Sequence, residues 1–112
     1  MPIPNAHSAF VPPEKLTDYL LNEQHPVGGS KAKWFISLGY DPANPVALEL
    51  ELLSKVRSSD KYTEFATAFG KKYVVSGTIS TPKGQCANLI TVWIVERPNT
   101  EPRFVTAVPG DK

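Results

Sequence analysis

A short stretch between two helical patterns carries residue types that bind anions and move protons. It reads EQHPVGGSKAKW and spans residues 23–34. An unperturbed histidine changes its charge near neutral pH, so a residue of this type at position 25 suits a general acid or base. Lys31 and Lys33 add two positive charges within a few residues of it. These residue types suit a site for a phosphate or another anion.

The backbone of the same stretch also favours an anion. Gly28 and Gly29 have no side chains, so a ligand can approach the chain closely. Ser30 is expected to be the N-cap of a helix, whose first turn presents unpaired N–H groups and a partial positive charge. The spacing is not that of a P-loop. The same residues also suit a plain helix–turn–helix junction, and residue types alone favour that simpler interpretation.

A second group of polar residues lies in the C-terminal half of the chain. Thr91, Arg103 and Thr106 can cluster across neighbouring strands, although β-propensity and a surface charge account for them more simply. Trp93 is expected on an open sheet face among hydroxyl groups. Such a face is either solvated or a binding surface, because an indole is costly to leave in water.

Other kinds of catalysis find little support in the sequence. His7 and His25 have no carboxylate or cysteine at ligand spacing, so no metal site is predicted. The single cysteine, Cys86, excludes an intramolecular disulfide and is expected in mid-strand as a small apolar side chain. No cofactor is predicted.

Composition limits the class of protein. The 112 residues are 41% hydrophobic, enough for one buried core, and the net charge of +1 excludes a strongly basic surface for nucleic acid. No apolar run reaches the ~18–20 residues that span a bilayer. The N-terminal residues lack the charged and apolar regions of a signal peptide. We therefore expect a cytoplasmic protein without membrane contact.

Hydrophobic periodicity predicts helices in the first half. Prolines fill residues 1–13, which are expected to be an extended lead-in, and residues 14–59 are expected to be helical. The expected helices are one over residues 14–22, one from Ser30 to a stop at Gly39, and one with Leu48, Leu52 and Val56 along its buried face.

After residue 59 the period changes to two, which predicts four antiparallel strands over residues 60–108. The apolar set expected to meet the helices is Val75, Ile79, Ile90, Val92, Ile94, Val105 and Ala107. The whole chain, 1–112, is expected to be one α+β domain with two to three N-terminal helices on one face of a four-stranded β-meander. The edge strand over 62–67 is available for dimerisation, but nothing in the sequence demands it, and no oligomeric state is predicted.

Several segments resemble a bacterial family whose domain is described only as being of unknown function. They are P-E-K-L-x-x-Y-L-L (13–21), H-P-V-G-x-x-K-A-x-x-F-x-x-L-G-Y (25–40), G-K-K-Y-V-V-x-G-x-I-x-x-P-x-G (70–84), T-V-W-I-V-E (91–96) and P-R-F-V-T-A (102–107). Members of that family occur as small stand-alone proteins and as C-terminal modules of polymorphic toxins. The toxin context and the order of elements are similar to the barnase/EndoU/colicin/RelE group of metal-independent RNases.

The resemblance implies an endoribonuclease, with RNA as substrate and an immunity or antitoxin protein as partner. The implied roles are His25 as general acid or base, Lys31 holding the phosphate, Thr91, Arg103 and Thr106 stabilising charge at phosphorus, and Trp93 stacking a base. The alternative is a non-catalytic binding module of the same fold, which uses the Trp93 face or the 25–34 turn for its partner.

Overall fold

The computed structural model describes residues 3, 5–16, 21–22, 24, 29–58, 62–97 and 100–110. A 3-10 turn over Ala6–Ser8 precedes three helical segments, α1 (Pro13–Lys15), α2 (Gly29–Ser37) and α3 (Val46–Ser58). The strands follow as β1 (Tyr62–Thr67), β2 (Gly70–Ser80), β3 (Cys86–Val95) and β4 (Arg103–Pro109). The predicted α+β class with a four-stranded antiparallel sheet is confirmed. The helix expected over 14–22 lies partly outside the described residues, so the number of helices stays a prediction.

The second helix begins earlier than the sequence predicts. α2 starts at Gly29, so Ser30 already lies inside the helix and its prediction as N-cap is wrong. The predicted stop at Gly39 is confirmed, because this residue has a φ of 104° and its N–H donates to the Ile36 carbonyl at 2.9 Å. A positive φ at the end of a helix favours glycine.

The third helix follows its apolar pattern closely. Leu48, Leu52 and Val56 are fully buried, as their spacing predicts. Pro45 precedes the first helical residue, and its carbonyl accepts a bond from the Glu49 N–H at 3.0 Å. Within the described part of the chain, no helix is long and apolar enough to cross a membrane.

The sheet has the order β1-β2-β3-β4. β2 begins at Gly70, whose φ of 133° places it so close to the Val95 carbonyl that a side chain there would collide with the backbone. The connection from β2 to β3 is closed by a bond from the Thr81 N–H to the Gln85 carbonyl at 2.8 Å. A shift of register in the β3–β4 pairing lies between Val92 and Trp93.

The predicted assignment of sheet faces is wrong by one residue of register. Val75 pairs with Thr91 and Ser76 with Ile90, so Val75 lies on the face of Thr91 and not on the face of Ile90. Alternation within each strand is correctly predicted, but the offset between β2 and β3 is set by the connection that joins them. A one-residue change of register moves a whole strand's apolar set to the opposite face.

One hydrophobic cluster joins the buried sheet face to α3. The sheet contributes Tyr73, Val75, Ile79, Leu89, Trp93, Phe104 and Ala107, and α3 contributes Leu48, Leu52 and Val56. Ile90, Val92 and Val105, which are predicted in the core, are only half-buried. The opposite sheet face is therefore partly apolar and partly open.

The lead-in is more than an extended arm. Ala6 and Ala9 are buried in the core cluster, and a 3-10 turn interrupts the expected extended chain. The Phe10 N–H donates to the Pro102 carbonyl at 3.1 Å, and the Phe104 N–H donates to the Phe10 carbonyl at 3.0 Å. Backbone polar groups need partners, and the lead-in supplies them at the β4 edge.

Tyr40 lies just after α2 and is 2% exposed. Its hydroxyl donates to the Ser80 carbonyl at 3.4 Å. Burial, with the charge of Glu51 as a smaller contribution, raises the pKa of Tyr40 to about 12. Burial acts this way because the charged phenolate is poorly solvated inside the protein.

The Tyr40 pKa predicts a loss of stability at high pH. Below pH 10 both states hold the proton; between pH 10 and 12 the unfolded state releases it and the folded state keeps it. The free energy of unfolding should therefore fall by about 2–3 kcal/mol over this window on account of Tyr40. Urea unfolding of wild type and Tyr40→Phe at several pH values isolates the contribution of Tyr40 to the pH dependence of the free energy of unfolding. Equal pH dependence of the two proteins contradicts the prediction.

Candidate functional site

A side-chain hydrogen bond joins α2 to the last strand. The Lys31 Nζ donates to the Thr106 Oγ1 at 3.2 Å, in a partly buried position, although the two residues are 75 positions apart in sequence. Both belong to the set predicted from the sequence. The structure therefore brings together one cation from α2 and one hydroxyl from β4.

The position of Lys31 in α2 concentrates positive charge. It is the third residue of the helix, and no acidic residue lies in the first turn. A lysine there opposes the helix dipole, which favours negative charge at an N-terminus. Gly29 is the first residue of the same turn, and Lys33 is exposed two residues beyond Lys31. This end of the helix is suited to binding an anion.

Two members of the predicted site lie outside the described residues. These are His25 and Gly28. Their predicted roles stay predictions, as does any contact between them and Lys31. The candidate site thus consists of the described pair, Lys31 and Thr106, and a predicted acid–base residue six positions before Lys31 in the sequence.

Thr91 and Trp93 are buried, and the prediction of an open face around them is wrong. Trp93 is 0% exposed and Thr91 is 1% exposed. The indole Nε1–H donates to the Thr91 Oγ1 at 2.9 Å, and the Thr91 hydroxyl donates to the Val75 carbonyl at 3.2 Å. The Trp93 ring also packs edge-on against Phe104, with 5.3 Å between ring centroids. Neither side chain has surface with which to meet a ligand.

Arg103 has a protein partner. Its Nε donates to the Glu96 Oε1 at 2.9 Å, and both side chains are partly exposed. It lies three residues before Thr106 on β4, a separation of roughly 10 Å along a strand. Glu96 follows the last residue of β3 and Arg103 is the first residue of β4, so the connection between these strands brings the two side chains together.

The described residues contain no group of three histidine, cysteine or acidic side chains that could hold a metal ion. Cys86 is exposed at the start of β3, so its prediction as a mid-strand apolar side chain is wrong. Its exposure leaves it outside the core cluster.

The arrangement defines a class of fold shared with a solved bacterial structure. A chain of the contact-dependent growth inhibition toxin–immunity protein complex from Klebsiella pneumoniae 342 superimposes with a TM-score of 0.75. The match has 17% sequence identity and covers 96% of this chain and 98% of that chain. At this identity the likeness shows the fold alone.

The family is shown by the sequence. A sequence model of the family described as Domain of unknown function (DUF6883) matches residues 2–111, so the chain belongs to this family. No curated protein matches the chain at a significant level.

Proposed function

We propose that this protein is an endoribonuclease of the bacterial toxin type, in which Lys31 and Thr106 bind the phosphate and His25 transfers protons. The observation that carries the proposal is the 3.2 Å contact between Lys31 and Thr106. It supports the proposal because an ammonium group and a hydroxyl group, held side by side, can both donate to phosphate oxygens.

The proposed reaction uses the ribose 2′-OH of RNA as the nucleophile. Attack of a ribose 2′-OH on the adjacent phosphorus forms a cyclic phosphate and breaks the bond to the 5′-oxygen of the next nucleotide. Either His25 accepts the proton of the 2′-OH while water gives a proton to the leaving 5′-oxygen, or protonated His25 gives its proton to the leaving oxygen while water accepts that of the 2′-OH. Negative charge develops on the phosphoryl oxygens, where Lys31 and Thr106 stabilise it. A net charge of +1 means that local contacts, not a basic surface, must supply most of the affinity.

Incubation of the purified protein with total tRNA and mRNA tests the proposal. Wild type should cleave RNA in the presence of a chelator and leave 2′,3′-cyclic phosphate ends. His25→Ala should cleave at least ~100-fold more slowly, which is the usual contribution of a general acid or base. Equal cleavage by both proteins removes the role of His25, and no cleavage of any RNA by wild type contradicts the enzyme.

A second candidate is a non-catalytic binding domain whose partner is an immunity-type protein. It is supported by the likeness to a toxin–immunity protein complex. This function predicts saturable binding of a protein partner and no turnover of RNA. Titration calorimetry with the product of a neighbouring gene tests it. If the protein cleaves RNA and this partner does not inhibit the cleavage, the result favours the endoribonuclease and contradicts the binding domain.

A further inference from the structure

The two edges of the sheet differ in what lies against them. The β4 edge is covered by the lead-in, through the backbone bonds of Phe10 to Pro102 and Phe104. The β1 edge pairs with β2 on one side only. Among the residues that the structure describes, no other segment donates or accepts a backbone bond on its outer side. Within these described residues, the backbone groups on the outer side of β1 have no backbone partner.

β1 also lacks the devices that protect edge strands. It pairs with β2 over all six of its residues without a bulge, and it contains no proline. Its one charged residue, Glu64, is paired with Lys71 of the neighbouring strand at 3.5 Å. Phe65, at the middle of the strand, is 51% exposed. Natural proteins usually block such an edge, because it is a template for pairing with another chain.

We propose that β1 of a second copy of this chain pairs antiparallel with this edge, with the two-fold axis at Phe65. A two-fold axis perpendicular to the sheet places the same face of both copies on the same side. Each residue must therefore lie opposite a residue of the second copy whose side chain points to that same face. Within Tyr62–Thr67, two registers meet this condition with five paired residues in each strand, one centred on Glu64 and one on Phe65.

The side chains select the register centred on Phe65. A centre at Glu64 would place two carboxylates directly opposite each other, which destabilises a sheet. A centre at Phe65 places the two rings opposite each other, Glu64 opposite Ala66 and Thr63 opposite Thr67. Aromatic pairs and threonine pairs both stabilise neighbouring strands. The resulting dimer has one continuous sheet of eight strands.

The surface that this contact buries is limited to one strand from each copy. Stable complexes bury about 1,200–2,000 Å² in total. We therefore expect a dimer that dissociates on dilution. This inference does not depend on the proposed RNase activity, since no residue of the candidate site lies in β1.

Sedimentation equilibrium over a range of protein concentrations tests the surface. Wild type should show a monomer–dimer equilibrium. Phe65→Lys places two ammonium groups opposite each other and should lower the association constant by about tenfold or more. Phe69→Lys is the matched control, because Phe69 is 78% exposed in the turn after β1 and outside the paired residues. Circular dichroism checks that both variants fold.

Three results would overturn the proposal: a monomer at every concentration, unchanged dimerisation of Phe65→Lys, or an equal loss in Phe69→Lys. If a different protein pairs with this edge, the purified chain alone stays a monomer at every concentration, which is the first of these results.

Disulfide trapping tests the register while keeping Phe65. In a Cys86→Ser background, Thr63→Cys and Thr67→Cys are prepared separately and then mixed under oxidation. The mixture should form disulfide-linked dimers, because residues directly opposite have Cβ atoms about 4.5–5.5 Å apart. Each variant alone should not, since identical positions lie four residues out of step, roughly 14 Å along the strands. A mixture that does not crosslink, or a single variant that does, overturns the register.

Discussion

In the proposed endoribonuclease, replacing Lys31 with methionine is expected to lower the rate of RNA cleavage at saturating substrate by at least ~100-fold. Methionine keeps an unbranched apolar side chain but removes the ammonium group that contacts Thr106. Since charge at phosphorus grows in the transition state, the loss should fall mainly on kcat and not on KM. Kinetics with a short RNA whose cleavage is followed by fluorescence measure both constants.

Stability measurements separate this catalytic role from a structural one. Lys31→Met removes an unfavourable charge from the first turn of α2 and also removes the hydrogen bond to Thr106, and these two effects on stability oppose each other. The free energy of unfolding should change by no more than about 1 kcal/mol. A purely structural lysine would lose stability and activity together.

Lys33→Met is the matched control, with the same change of charge at an exposed position two residues away. Its loss of activity should be much smaller than that of Lys31→Met, because Lys33 adds charge to this end of the helix whereas the Lys31 ammonium contacts Thr106. Equal losses in Lys31→Met and Lys33→Met would mean that activity follows the general charge of the helix, and the contact with Thr106 would then carry no catalytic role.

The second large effect concerns the core. Trp93→Ala is expected to lower the free energy of unfolding by about 3–5 kcal/mol, the usual cost of removing a large buried side chain. Trp93 is fully buried and packs against Phe104. Its removal therefore leaves a cavity inside the core. Because small domains have only about 5–15 kcal/mol in total, this variant should be close to unfolding. Urea denaturation measures the change.

The hydrogen bond between Trp93 and Thr91 makes a sharper test possible. Thr91→Val leaves the indole N–H buried without its partner and should cost about 1–3 kcal/mol, whereas Thr91→Ser keeps the hydroxyl and should cost less. In a Trp93→Phe background the part of the Thr91→Val cost that comes from the unpaired indole N–H should disappear, whereas the part that comes from the lost bond to the Val75 carbonyl should remain. If the two substitutions add independently in the double variant, the bond from Trp93 to Thr91 contributes nothing to stability.

What the sequence predicts well is local. The span Tyr62–Thr67, the buried face of α3 and the glycine that ends α2 all follow from residues within a few positions of one another. Periodicity, capping and a positive φ depend on short-range sterics and on which side chains share a face. The α+β class follows from the order of these patterns along the chain.

The tertiary structure decided what depends on the relation between segments. The β2–β3 register placed Thr91 and Trp93 in the core, and no pattern within either strand contains that offset. The site shows the same division. The sequence alone singled out Lys31 and Thr106 as residue types that bind anions, but only folding brought the Nζ of one within 3.2 Å of the hydroxyl of the other. A contact across 75 positions depends on how the elements pack, and this packing is a property of the whole core.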